Sequence, residues 1–112
     1  MGAVHLNRQL MLETREQVAD GAGGYSELWT PLGSLWAEVT ARTGRERAGE
    51  DVALAMTAYR IVVRAAPVGS SRRPRPGQRF REGPRVFAIQ AVAERDAQGR
   101  FLTCYADEEV VA

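Results

Sequence analysis

Lysine is absent from this chain of 112 residues, and all fifteen basic residues are arginine. Arginine makes two-point hydrogen bonds to carboxylates and phosphates and stacks on aromatic rings, so an arginine-only surface suits an interface. Codon bias in a GC-rich genome explains the same composition without any function. Because fourteen acidic residues leave a net charge of only +1, no overall field would draw the chain to nucleic acid.

Cysteine and histidine each occur once, as Cys104 and His5. A single cysteine cannot form an intramolecular disulfide, which fits a reducing compartment, and two residues are too few for a His/Cys metal cluster. A Cys104–His5 nucleophile pair would need the two side chains to meet in the fold. The strand pattern around Cys104 instead predicts a small core residue, so the sequence indicates neither an enzyme nor a cofactor.

Long apolar runs are missing as well. No segment approaches the roughly 20 residues that a membrane-spanning helix needs, and the N-terminus lacks the basic and apolar regions of a signal peptide. The glycines of residues 21–24 are not followed by the Lys and Ser/Thr pair of a phosphate-binding loop. The sequence predicts a soluble protein, intracellular at synthesis, with no membrane partner.

Short strand patterns separated by turn residues fill most of the chain, whose length predicts a single domain over residues 1–112. Apolar residues alternate with polar ones in several segments, and glycine-rich turns separate them. The predicted strands are residues 6–14, 25–30, 35–40, 57–65, 85–94 and 100–106, with a shorter one at 78–80 and turns at 20–24, 83–84 and 96–99. About six short strands predict a mainly β fold, a small antiparallel barrel or sandwich.

Residues 43–57 break the β pattern between the third and fourth of these strands. Ala48, Val52 and Met56 lie four residues apart, which predicts a short helix with one apolar stripe inside a long loop. Long loops in compact domains are usually functional or disordered. The candidate contacts of this loop with other protein subunits are Arg45, Glu46, Arg47, Glu50, Asp51, Val52 and Leu54.

A basic segment follows, because residues 72–85 contain six arginines and a single acid, Glu82. Such a patch could contact phosphates with salt-sensitive affinity, or bind an acidic partner protein, or be a solvated loop. Base stacking on single strands is less favoured, because the aromatic residues nearby are only Phe80 and Phe87. The candidate contacts to DNA or an acidic partner are Arg72, Arg73, Arg75, Arg79 and Arg81. A separate set of candidate contacts lies in the acidic tail and consists of Asp107, Glu108 and Glu109.

A series of short segments runs in a characteristic order and spacing over nearly the whole chain. The segments are Leu6–Glu13, Asp20–Tyr25 with Glu27-Leu28-Trp29, Leu35–Val39, Gly44-Arg45-Glu46, Tyr59-Arg60-Ile61, Pro76–Phe80 and Arg85–Ile89. Their order resembles the phage head–tail joining proteins, also called head-completion, adaptor or stopper proteins, of long-tailed phages and gene transfer agents. Gly83-Pro84-Arg85 departs from the Gly-Gly or Gly-Lys that the family often has before its last strand.

The resemblance implies a small β-barrel with a long loop, whose copies form a six- or twelve-fold ring below the portal of a particle head. Such a ring closes and extends the channel for double-stranded DNA and docks the tail. Its partners would be portal or adaptor ring proteins on one side and tail terminator or tube proteins on the other. The chain would be made in the bacterial cytoplasm and reside at the head–tail interface of the virion. The alternative is an independent arginine-rich β-barrel that binds nucleic acid.

Overall fold

The protein, seen in a computed structural model, forms a closed barrel of antiparallel strands in the order β1-β2-β3-β6-β5-β4. The structure describes residues 3–42 and 56–109. The short strand β4 closes the ring, because it pairs with β5 on one side and with β1 on the other. The strands are β1 Arg8–Ala19, β2 Tyr25–Ala41, β3 Met56–Arg64, β4 Arg79–Glu82, β5 Arg85–Glu94 and β6 Phe101–Glu109. The prediction of a mainly β, six-stranded antiparallel fold is confirmed.

The barrel interior holds the apolar side chains that alternate along each strand. Phe80 of β4 lies opposite Phe87 of β5, and both side chains are fully buried. Cys104 is also buried in this core and forms no disulfide, as its strand position predicts. The other core residues are Leu10, Leu12, Ala37, Ile61, Val63, Ile89, Leu102 and Ala106.

The second and third predicted strands are one strand in the structure. β2 runs without interruption through Pro31 and Gly33, where a break was predicted. A register shift against β1 between Leu12 and Glu13 accommodates the extra residue, Leu32, as a bulge does. Proline is tolerated here because this part of β2 pairs with β1 alone and is therefore an edge. The segment of residues 43–55 consequently follows the second strand of the barrel, not the third.

Two further boundaries differ from the prediction. β1 continues to Ala19 instead of ending at residue 14, and β6 continues to Glu109 instead of ending at residue 106. Asp107, Glu108 and Glu109 therefore belong to a strand paired with β3, not to a free acidic tail. The helix predicted within residues 43–57 falls outside the described residues, except that Met56 and Thr57 begin β3.

The β1–β2 hairpin projects from the barrel as a two-stranded arm, residues 14–30. β1 pairs with β4 only as far as Glu13, so residues 14–19 form strand pairs with β2 alone, and residues 25–30 form strand pairs with β1 alone. Asp20 holds the turn, since its carboxylate accepts hydrogen bonds from the Ala22 and Gly24 amides at 2.8 and 3.0 Å. The predicted turn at residues 20–24 is confirmed.

Candidate interaction site

A buried carboxylate joins β1 to β4 at the root of the arm. The Nε atoms of Arg79 and Arg81 donate to the two oxygens of Glu13 at 2.7 and 2.8 Å, and the Glu13 side chain is only 5% exposed. Burial raises the pKa of Glu13, but the hydrogen bonds from the two guanidinium groups outweigh it and the pKa falls below its usual range. Glu13 is therefore ionised and forms ion pairs with two of the candidate DNA-contacting arginines.

Arg79 also fixes the direction of the arm. Its guanidinium lies 4.1 Å from the centre of the Trp29 ring, within cation–π range. Trp29 is a half-buried residue of β2 opposite Arg15. The same arginine also binds Glu13 of β1. The Arg79 side chain therefore attaches the base of the arm to the barrel.

A second arginine–carboxylate network lies on the barrel at the end of β6. The Arg85 side chain donates through Nε and Nη2 to Glu108 at 2.7 and 3.0 Å and through Nη2 to the Tyr59 hydroxyl at 3.2 Å. Arg8 pairs with Glu82 through Nε at 3.1 Å and through Nη2. The hydrogen bond from Arg85 keeps the pKa of Glu108 below its usual range. Glu108, a candidate contact at the end of the chain, thus already ties β6 to β5.

The arginine- and proline-rich loop between β3 and β4 is held against the barrel. Arg72 Nη2 donates to the Ser34 carbonyl at 2.9 Å, and Arg73 Nη1 donates to the Ala66 carbonyl at 2.8 Å. Pro74 is fully buried, and the buried side chain of Gln78 accepts the Arg75 amide at 2.9 Å. This loop therefore has a defined shape and its arginines take part in forming it.

Arg75 is the exception among the five candidate contacts in this region. It is exposed, and its guanidinium makes no ion pair or hydrogen bond within residues 3–42 and 56–109. It lines a polar cleft together with Arg15 of the arm. The structure thus brings Arg75 and Arg15 together as an exposed basic pair, a combination that sequence reasoning missed because the two residues are 60 positions apart.

A largely apolar groove lies beside the arginine- and proline-rich loop between β3 and β4, residues 65–78, which is called the basic loop below. It has a volume of about 280 Å³, and its lining residues are Leu6, Ser34, Leu35, Trp36, Arg64, Ala65, Ala66 and Arg72. Trp36 is 54% exposed, so this large ring faces the groove and solvent. No acidic residue among those that the structure describes lines the groove, which is therefore a largely apolar surface that includes two arginines.

The two ends of the barrel differ in chemistry. The arm and the basic loop extend from the end where β4 begins and β3 ends. At the other end, Asp107 and Glu109 of β6 lie opposite Ala58 and Met56, where the segment of residues 43–55 rejoins the barrel. Asp107 is half-buried and Glu109 is exposed. The candidate contacts predicted within that segment, Arg45 to Leu54, lie outside the described residues.

Catalytic groups are not brought together among the described residues. His5 is exposed on the outside, where its amide donates to Glu38, whereas Cys104 is in the core. Burial raises the pKa of the Cys104 thiol to about 12, so it is not a thiolate at neutral pH. Over the same residues, no group of three or more His, Cys, Asp or Glu is placed to hold a metal, and no helix has the length and apolar character to span a membrane.

Comparison with known proteins decides the family. The chain matches the family described as phage head completion protein over residues 1–109. The chain belongs to this family. It is also similar, at 63% sequence identity and a TM-score of 0.80, to a chain of the virion of a native gene transfer agent particle, with 96% of this chain and 98% of that chain covered. The resemblance drawn from the sequence motifs is confirmed.

A second solved structure shares the fold of the head completion protein. The solution structure of protein SF1141 from Shigella flexneri 2a superposes with a TM-score of 0.72 over the full length of both chains, at 24% identity. Comparison with curated proteins gives no match. Membership of the head completion family gives the chain a structural role in the head of a phage or gene transfer agent particle.

Proposed function

We propose that this head completion protein is a connector subunit that forms a ring below the portal, extends and closes the DNA channel, and docks the tail. The observation that carries the proposal is the similarity, over nearly the full length of both chains, to a component of a gene transfer agent virion. A connector of this kind needs no catalytic group, because its work is to bind two neighbours and surround a channel.

The difference between the two ends of the barrel supports this role. A subunit between a head and a tail must present separate surfaces to two partners. The arm and the basic loop provide one such surface, with Arg75 and Arg15 exposed near its base. The acids of β6 and the attachment points of the segment at residues 43–55 provide another. We assign the predicted contacts of Arg45–Leu54, Asp107 and Glu109 to the partner at this second end.

The closed barrel suits a subunit that has neighbours on several sides. Closure leaves few unpaired strand edges in the barrel wall, and ion pairs join β1 to β4, β4 to β5 and β5 to β6. The strands of the barrel wall are therefore paired on both sides over most of their length, and free strand edges lie mainly in the arm and the adjoining part of β2.

Counting copies in purified particles tests the proposal. Quantitative mass spectrometry of particles, with the portal chain as internal reference, should find this chain at a fixed ratio to the portal that fits a six- or twelve-fold ring. A trace amount that varies independently of the portal would contradict the connector role. A decoration of the head surface would appear instead as a copy number that follows the major capsid protein.

A further inference from the structure

The arm exposes more large apolar side chains to water than is favourable for a hairpin without further packing. Five large apolar side chains are exposed among the described residues, and Val18, Tyr25 and Leu28 of the arm are three of them, at 44%, 70% and 54%. A two-stranded ribbon without further packing is at best marginally stable in water. The arm beyond Trp29 therefore has the composition of a segment that is covered in the assembled state.

One face of the arm carries two of these apolar residues side by side. Leu28 lies opposite Glu16 and Val18 lies opposite Ser26, so Leu28 and Val18 are diagonal neighbours on the same face. The arm, residues 14–30, is also acidic, because Arg15 is outnumbered by Glu16, Asp20 and Glu27, which gives a net charge of −2. The arm thus presents a small apolar ridge with acidic neighbours.

The groove beside the basic loop has the complementary character. Its wall is apolar, Trp36 is exposed within it, and its charged residues are both arginines, Arg64 and Arg72. Arg72 is held by the Ser34 carbonyl, and the Arg64 guanidinium lies 5.8 Å from the centre of the Phe101 ring. Contacts within the chain therefore hold both arginines of the groove in place.

The arm of one copy cannot reach its own groove. Leu28 and Trp36 belong to the same extended strand and are eight residues apart, which separates them by about 27 Å at the usual rise of a strand. The Trp29–Arg79 contact and the Glu13 ion pairs fix the root of the arm between them. An occupant of the groove with the chemistry of the arm must come from another copy.

We propose that the arm of each copy packs its Val18 and Leu28 face into the groove at Leu6, Leu35 and Trp36 of the next copy, with the acids of the arm beside Arg64 and Arg72. Two different surfaces meet in this contact, so it is head-to-tail and closes into a ring when the rotation permits. The inference rests on the proposed ring and names the contact that holds neighbouring subunits together.

Cysteine cross-linking in assembled particles tests the contact. Particles are prepared with the double variant Leu28→Cys/Trp36→Cys and treated with a short bismaleimide. A head-to-tail contact predicts a ladder of covalent oligomers beyond the dimer, because each copy reacts with both neighbours. Cys104 contributes no background, since it is fully buried. The single variants should give no ladder.

A matched control uses Gln90→Cys/Trp36→Cys. Gln90 is exposed, as Leu28 is, but lies on β5, across the barrel from β2, so this pair should remain monomeric. The pair Val18→Cys/Arg64→Cys repeats the test without removing the Trp36 ring. A ladder from the Leu28 or Val18 pair and none from the Gln90 pair supports the contact.

The outcomes separate the contact from the connector role. If the chain is present at its ring ratio to the portal but neither arm pair gives a ladder, the arm contact is overturned and the connector role survives. A ladder from the Gln90 pair alone would also overturn it. If the wild-type chain is absent from purified particles, the connector role fails and the arm contact fails with it.

Discussion

At the scale of single residues, the carboxylate of Glu13 is the most consequential group outside the apolar core. An acid in a strand that follows Leu10 and Leu12 looks from the sequence like an ordinary solvent-facing residue. In the structure it is buried and holds Arg79 and Arg81, which come from a strand 66 and 68 positions away. Such pairings cannot be read from local pattern, because they depend on which strand closes the barrel.

Glu13→Gln should therefore lower stability and flatten its acid dependence. The pKa of Glu13 is below its usual range in the folded state, so the ion pairs contribute fully above the unfolded value near pH 4.3 and are lost as pH falls through the folded pKa. The substitution leaves two arginines without a counter-charge and should cost about 2 kcal/mol at pH 7, less than a fully buried pair because Arg81 is partly exposed.

Urea titrations between pH 7 and pH 3 measure this effect. Wild-type protein should lose free energy of unfolding over the acid part of this range more steeply than Glu13→Gln. Glu27→Gln provides the control, since its ion pair with Arg15 is 3.6 Å long and half exposed. Equal pH slopes for the wild-type protein and Glu13→Gln would show that the buried pair contributes nothing.

At the scale of elements, the turns were predictable from the sequence and the strand lengths were not. Glycines with positive φ occupy the turns predicted at residues 20–24, 83–84 and 96–99, because left-handed backbone strongly favours glycine. Pro31 and Gly33, in contrast, were interpreted as a strand break and lie instead within one bulged strand. The residue composition of a segment indicates where the chain turns. Whether a strand continues through a proline or glycine depends on its pairing with the neighbouring strand.

The direction of the arm should depend on Trp29. Trp29→Ala removes the ring on which Arg79 lies, and a partly desolvated contact of this kind stabilises by about 1 kcal/mol. Amide hydrogens of residues 14–19 and 25–30 should then exchange about fivefold faster, while those of β3 and β6 keep their rates. Leu28→Ala, next in sequence but exposed, is the control. Faster exchange throughout the barrel would mean that Trp29 belongs to the global core.

The basic loop should not make the purified chain a DNA-binding protein. Arg72 and Arg73 bind backbone carbonyls, and Arg79 and Arg81 bind Glu13, so four of the five candidate arginines already have partners. With a net charge of +1, we expect no micromolar affinity for duplex DNA at physiological salt. Replacing Arg72, Arg73 and Arg75 together with alanine would also remove the hydrogen bonds that hold the loop against the barrel. Arg75→Ala is therefore the more specific test of contact with DNA.

Fluorescence anisotropy with a labelled duplex at several salt concentrations distinguishes the two functions. Micromolar binding that weakens steeply with salt, and whose salt slope falls by about one in Arg75→Ala, would favour the independent nucleic-acid-binding alternative. Arg100→Ala, an exposed arginine paired with Asp96, controls for a general loss of positive charge.

At the scale of the whole molecule, the barrel should fold without the segment at residues 45–55. The Arg42 amide donates to the Ala58 carbonyl at 2.8 Å, so the deletion leaves Thr43, Gly44, Met56 and Thr57 between paired residues, a length that hairpin loops commonly have. We expect an unchanged β spectrum by circular dichroism and particles whose heads and tails no longer join. Loss of the β signal would instead make this segment part of the core.

The connector role is tested most directly by electron microscopy of particles produced without this chain. Separate heads and complete tails, with the heads empty or leaking DNA, are the predicted result, and supplying the wild-type chain should restore joined particles. Normal tailed particles in its absence would contradict the connector role, and the duplex-binding experiment would then become the main test of function.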